Sequence, residues 1–412
     1  MNVTIDVLAK PLTLPCGTVI KNRFFKSAMS EGLATVDHRP TPFLTNLYGT
    51  WADGGAGLVV TGNVMIDGRA LGEPRNVVLE HEHDLDRYKQ WAKAGTAHNT
   101  HLWMQLNHPG KQALSVLTKE SVAPSSVPLS GDMKRFFAPP RALTIEEIYD
   151  LIERFGNAAI IAKRAGFTGV QIHAAHGYLI SQFLSPLHNQ RNDEWGGSLQ
   201  NRMKFLLEVY YNIRYKVGKR FPIGVKLNSA DFQRGGFTEA ESMQVVKELA
   251  QAGVDLLEIS GGTYENPSMT GRNMKESTRK REAYFLDYAE RVRKLVETPL
   301  VVTGGFRTPQ GMAEAIASGA TDMIGLARPL AVEPDLPKKI LAGDMKVRQL
   351  PPIQTGVKFI DNAAMLEMIW YEQQLERMGK GKEPKPSYSA WLSLAQTIVT
   401  QGKNVFQKRR SQ

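Results

Sequence analysis

The chain of 412 residues has a single cysteine, Cys16. One thiol excludes an intrachain disulfide, a cysteine-held iron–sulfur cluster and a cysteine-rich zinc site, so any redox chemistry has to use a bound cofactor. No uninterrupted apolar run is long enough to span a bilayer, and Met1 to Lys10 lacks a charged stretch followed by an apolar core. A cytoplasmic or organelle-matrix location is the resulting expectation. No G-x-G-x-x-G follows a strand-like run, so a nicotinamide cofactor would visit rather than lodge in a domain of its own. Helix-turn-helix, zinc-finger and RNA-binding signatures are also missing. The net charge is +10, but its basic residues are scattered until Lys403, Lys408, Arg409 and Arg410. Solvated surface charge plus an anionic ligand accounts for that, and no nucleic-acid partner is expected.

What is present is an ordinary globular composition, 42% hydrophobic and 22% charged, enough for one large barrel or two domains. Short apolar or β-branched runs recur at Phe24–Ala28, Leu58–Gly62, His101–Leu106, Val170–His173, Ile223–Leu227, Leu256–Ser260, Leu300–Gly304 and Met323–Leu326. Amphipathic stretches separate most of them, among them Thr144–Ala165, Leu199–Val217, Glu239–Ala252, Asp287–Val296 and Thr308–Ser318. The alternation predicts an α/β fold, a (β/α)8 barrel of the triosephosphate isomerase type, with function at the C-terminal strand ends. Three additions are expected. A hairpin around Pro15-Cys16-Gly17 would plug the N-terminal end. A long Pro- and Ser-rich connection from Gly110 to about Arg141 would cap the catalytic face. A tail with helical patterns at Phe359–Met378 and Ser389–Gln401 would bury Trp370, Tyr371 and Trp391 against the barrel or a partner subunit. The division is thus a barrel over 1–340 and a helical extension over 341–412.

The chemistry gathers first at Gln171-Ile172-His173-Ala174-Ala175-His176-Gly177-Tyr178. His173 and His176 can donate hydrogen bonds to a developing oxyanion, and Tyr178 can deliver a proton. Core or loop histidines and a packed phenol are the plain alternative. A metal is not expected, because no H-E-x-x-H or third ligand accompanies the pair. Gly304-Gly305 and Ala327-Arg328 close the seventh and eighth runs, where backbone N–H groups and a guanidinium form a phosphate site in many barrels. Gln105 and Lys226 offer an amide and a fixed positive charge of the kind a flavin ring needs, since reduction places negative charge on it. On their own they could equally be a barrel polar layer and a structural ion pair.

Taken together these motifs resemble the Old Yellow Enzyme family of FMN-dependent ene-reductases, also called NADH:flavin oxidoreductases, from about Leu12 to Pro334. The resemblance is carried by Asn22-Arg23-Phe24-Phe25-Lys26-Ser27-Ala28-Met29-Ser30, by Gln105-Leu106-Asn107-His108-Pro109-Gly110-Lys111, and above all by the segment Ser185 to Ser198 with Asn201-Arg202. It implies that Ser27, Ala28, Ser30, Gly62, Gln105 and Lys226 contact the FMN ring and ribityl chain, and that Gly304, Gly305, Ala327 and Arg328 hold its phosphate. His173 and His176 would bind a substrate carbonyl or nitro oxygen and Tyr178 would protonate the α-carbon. NADPH or NADH would reduce the flavin transiently. Lys226 stands where many members have Arg, Ser30 where others have Thr or Cys, and Gly32 where some have an aromatic. Reduction of an activated C=C bond in a small molecule is the leading expectation, and a homo-oligomer is compatible with the tail. Flavin-dependent amine oxidation or demethylation, and NAD(P)H oxidase activity, use the same barrel. A flavin-free lyase or a binding scaffold is the reading from another class.

Overall fold

A computed structural model describes residues 4–263, 265, 283, 285–349, 352–357, 361 and 365–408, with side chains to 399 apart from 132 and 133. Two short strands, β1 (Leu12–Thr13) and β2 (Val19–Ile20), pair antiparallel with Leu12 opposite Ile20. They are followed by β3 (Phe24–Lys26), β4 (Leu58–Met65), β5 (Val77–Val78), β6 (His101–Asn107), β7 (Ser121–Ala123), β8 (Pro140–Ala142) and β9 (Gly169–Ala174). The last strands are β10 (Ile223–Asn228), β11 (Leu256–Ser260), β12 (Leu300–Thr303) and β13 (Met323–Leu326). Strands β3, β4, β6 and β9 to β13 run parallel in that order, and ladders from β3 to both β13 and β4 close the ring. The eight expected runs thus form the barrel, with helices between them.

Side chains alternate across each strand, which sends Phe25, Leu58, Val60, Trp103, Leu256, Val301 and Met323 into one apolar cluster inside the barrel. The β1–β2 hairpin adds Leu12, Leu14 and Ile20 to that cluster, sealing the N-terminal end as expected. Trp103 occupies so much of the axis that glycine is required opposite it. A Cβ added at Gly224 would lie 2.7 Å from the Trp103 ring. Gly224→Ala is expected to cost about 1–3 kcal/mol, the usual range for overpacking, read as a lower denaturant midpoint at unchanged slope.

The outer helices begin where the sequence signals it. Thr144 and Glu147 form a reciprocal capping box on the helix Ile145–Arg164, and Thr238 and Glu241 do the same on Glu239–Ala252. Each box satisfies two end N–H groups that the helix itself leaves unpaired.

The long connection after β6 has structure of its own. It contains β7 and β8, which pair with each other, and a turn of 3-10 helix over Gly131–Phe136. Arg191 anchors it, donating to the carbonyls of Pro124 at 3.0 Å and Leu143 at 2.6 Å while Asp193 holds the guanidinium.

In the C-terminal extension, the helix Met365–Gly379 packs on the helix Pro42–Asp53 and on the short helix Arg328–Val332. Residues 359, 360 and 362–364 of the expected first tail helix, and Arg409 and Arg410, lie outside the described residues. Trp370 is buried and donates to the Tyr388 carbonyl at 2.9 Å. Tyr371 is half-buried, and Trp391, on the last helix, Ala390–Lys408, is 52% exposed in the single chain. Among the described residues no helix is long and apolar enough to cross a membrane.

Candidate active site

Two residues above the apolar layer, the inward positions turn polar. Gln105, Gln171, Lys226 and Glu258 lie there, buried, with Thr303 and, just past β3, Ser27. The ladders place Gln105 opposite Gln171, and Lys226 between His173 on one side and Glu258 on the other. The plain alternatives for Gln105 and Lys226 therefore describe what they do within the protein. Gln105 belongs to a polar layer, and the Lys226 ammonium sits 3.1 Å from the Glu258 carboxylate. The next inward positions toward the strand ends are Asn107, His173, Asn228 and Ser260.

His173 and the loop residues after it form one aromatic cluster. Ring centroids lie 5.2 Å apart for His173 and His176 and 4.8 Å apart for His173 and Tyr178, both edge-on. His173 Nδ1 accepts the Ala175 N–H at 3.2 Å, which in a neutral ring puts the proton on Nε2. His176 adopts φ +61°, a left-handed conformation costing of order 1–3 kcal/mol for a non-glycine residue. Three contacts hold it there. Its N–H donates to Asn228 Oδ1 at 3.2 Å, its carbonyl accepts from Gln112 Nε2 at 3.2 Å, and its ring lies 2.7 Å from the Ser260 hydroxyl. Burial pushes both imidazoles well below their ordinary value, and the Lys226 charge adds to this; for His173, the neighbouring His176 does too. Both are therefore neutral N–H donors near pH 7. Tyr178 is buried, and its phenol oxygen accepts from Asn63 Nδ2 at 3.2 Å.

At the far side of the mouth, Gly304 and Gly305 both have positive φ, +101° and +93°, a tandem turn open to few other residues. Ala327 precedes the helix that Arg328 opens, and Arg328 Nη1 donates to Glu367 at 2.7 Å. Ala28 packs against the apolar barrel cluster. Two expected flavin contacts are already engaged within the protein. The Gly62 N–H donates to Glu31 at 2.9 Å and to the Tyr48 oxygen at 3.0 Å, and the Ser30 hydroxyl donates to Glu73.

Several residues at this mouth escaped the sequence reading. Glu258 and Gln171 sit inside runs that look merely like strand. Glu367 and Glu372 arrive from the C-terminal helix, far away in sequence. Burial and the carboxylates of Glu73 and Glu31 push Glu372 up to about 8, beside the Ser30 hydroxyl. Asn107 is buried with neither amide atom bonded, and Asn63 Oδ1 is also without a partner. Orphaned buried amides are uncommon and suit a polar ligand. With the charged, amide-lined layer below and the Gly-Gly turn beside an arginine, the mouth fits a planar cofactor carrying a phosphate tail. Among the described residues no three-member cluster of metal-ligating side chains occurs.

A closed parallel barrel that carries this equipment at its strand ends belongs to the flavin-dependent oxidoreductases. Residues 7–346 match the NADH:flavin oxidoreductase / NADH oxidase family, and the chain is a member of it. Members use FMN and NAD(P)H. The NADH-dependent flavin oxidoreductase iliE of Hypocrea jecorina is 39% identical over 359 residues, 80% of this chain and 88% of that protein. An old yellow enzyme homologue from Zymomonas mobilis superposes with a TM-score of 0.69 at 26% identity, over 82% of this chain and 94% of that one. A 2-naphthoyl-CoA reductase in complex with 2-naphthoyl-CoA gives 0.77 at 29% identity over 82% of this chain. This chain spans about half of that reductase, 53%.

Proposed function

We propose that this oxidoreductase reduces the activated C=C bond of an α,β-unsaturated carbonyl or nitro compound, with NADH or NADPH as the source of reducing equivalents. The observation that carries the reading is the pair of neutral imidazoles beside a buried phenol on one strand end. Bound FMN would supply hydride to the substrate's β-carbon. His173 Nε2–H and the His176 ring receive the substrate oxygen as negative charge grows on it, where preorganised donors count most. Tyr178, held by Asn63, gives its proton to the α-carbon. Gln105, Lys226, Ser27 and Ala28 face the ring, and Gly304, Gly305, Ala327 and Arg328 receive the phosphate. The likeness to a reductase of a conjugated acyl thioester supports an alkene conjugated to a carbonyl as the substrate.

Isotope labelling tests the reaction. With cyclohexenone and NADH deuterated at C4, the label is expected at the β-carbon of cyclohexanone, and in D2O with unlabelled NADH at the α-carbon. No saturated product, with NADH consumed only as oxygen disappears, would favour oxidase activity instead.

Neutral histidines also fix a pH response. Because burial lowers both imidazoles, the donors stay un-ionised from pH 8 down through about 6.5, the ordinary histidine value. The rate of flavin reoxidation by the enone should show no histidine limb between pH 6 and 8. A rate that falls as pH rises through about 6.5 would mean that imidazolium is the donor.

A further inference from the structure

Glu258 takes no part in the proposed reaction, yet its carboxylate binds side chains from three other strands of the barrel. It is fully buried on β11, and five hydrogen-bonding or charged groups from other strands and strand ends converge on it directly or through one intermediary. Oε1 lies 3.1 Å from Lys226 Nζ and accepts from Thr303 Oγ1 at 2.8 Å. Oε2 accepts from Gln171 Nε2 at 2.8 Å, and Gln171 Oε1 in turn accepts from Gln105 Nε2 at 2.7 Å. Thr303 Oγ1 is also 2.8 Å from Ser27 Oγ.

The donor and acceptor sense of this chain follows from the carboxylate alone. An ionised carboxylate only accepts. Gln171 must therefore turn its amide nitrogen to Glu258 and its oxygen to Gln105, which leaves the Gln105 carbonyl oxygen available above the layer. Thr303 spends its one proton on Glu258, so Ser27 must donate to Thr303 and keeps only acceptor capacity. A neutral group at 258 would impose neither orientation. The same carboxylate offsets the one fixed positive charge of the layer, and in a buried site such a charge acts with little screening.

We propose that Glu258 is a positioning residue of the cofactor site, which sets the hydrogen-bonding sense of Gln105 and Ser27 and offsets Lys226, and so holds the bound flavin at a low reduction potential. The proposal rests on the reading that Lys226 faces the flavin ring. Removing negative charge from this position favours the reduced ring, which gains negative charge, so the potential should rise.

The test is the midpoint potential of FMN-loaded protein at pH 7, by dye-coupled reduction. E258Q is expected to raise the equilibrium constant for reduction at least tenfold over wild type, which for a two-electron couple is about 30 mV. E258Q alone leaves a lone buried ammonium and could fail to fold. The second comparison, K226M/E258Q against K226M, changes the same carboxylate without that penalty and should show a rise of the same sign. K226M alone should lower the potential below wild type. A potential that stays put on loss of the carboxylate, while FMN content or melting temperature changes, would reduce Glu258 to a structural residue and overturn the proposal. A K226M potential equal to wild type would instead show that Lys226 does not face the flavin, and the proposal would fall with that placement.

Discussion

Tyr178→Phe is expected to slow reoxidation of the reduced enzyme by an enone by about 10²–10⁴-fold, the range a positioned general acid contributes. Reduction of the flavin by NADH should stay within a few-fold of wild type. The asymmetry follows from geometry. The phenol is the one hydroxyl of the aromatic cluster, and Asn63 positions its oxygen at 3.2 Å. Flavin reduction by the nicotinamide needs no proton at carbon. The ring itself packs edge-on to His173, and phenylalanine keeps that contact, so the substitution removes an oxygen and leaves the packing. Stopped-flow absorbance of the two half-reactions reads both rates in one preparation. Equal losses in both would remove Tyr178 from the proton step.

The second large effect is expected at His173. Deleting one donor from an oxyanion site costs about 10²–10³ in turnover, and His173→Ala should show a loss of that size in the enone reaction. His173→Asn, which restores an N–H on a shorter stem, should recover part of it. The proton on Nε2 is fixed by the Ala175 N–H at Nδ1, so this donor is oriented before substrate arrives. His176 is held still more firmly, by Asn228, Gln112 and Ser260. Its left-handed backbone shows that the fold has committed a strained residue to this loop. A kcat loss in His173→Ala with flavin content and melting temperature near wild type locates the effect in chemistry. A loss that tracks flavin release would place His173 in cofactor retention.

Much of this architecture was legible from the chain alone. The strand runs were visible because parallel strands buried on both faces are short apolar segments between amphipathic helices. Their ends carried His173, Gln105 and Lys226, and period-two alternation then points those side chains into the mouth. Boundaries drifted where local chemistry intervened. β4 continues past Gly62 to Met65 through a register shift, at which the Thr61 hydroxyl takes the Gln105 N–H at 2.9 Å. The partners of the site residues could not be read. That Lys226 meets Glu258 depends on strand register, and that Arg328 meets Glu367 depends on where a distant helix docks. Ser30 and Gly62 look like free flavin contacts in sequence, but the carboxylates engaging them lie on separate segments brought together by folding. Trp391 is exposed in the single chain, and the pattern of an amphipathic helix does not say which face finds a neighbour.

One anaerobic experiment with the wild-type protein tests alkene reduction most directly. Enzyme reduced by one equivalent of NADH loses its blue flavin absorbance and is then mixed with cyclohexenone in the absence of oxygen. The absorbance should return with a rate that saturates in cyclohexenone, leaving cyclohexanone in amounts equal to the flavin. Flavin that stays bleached under cyclohexenone and recovers only when oxygen is admitted would contradict the assignment of His173, His176 and Tyr178 to alkene reduction.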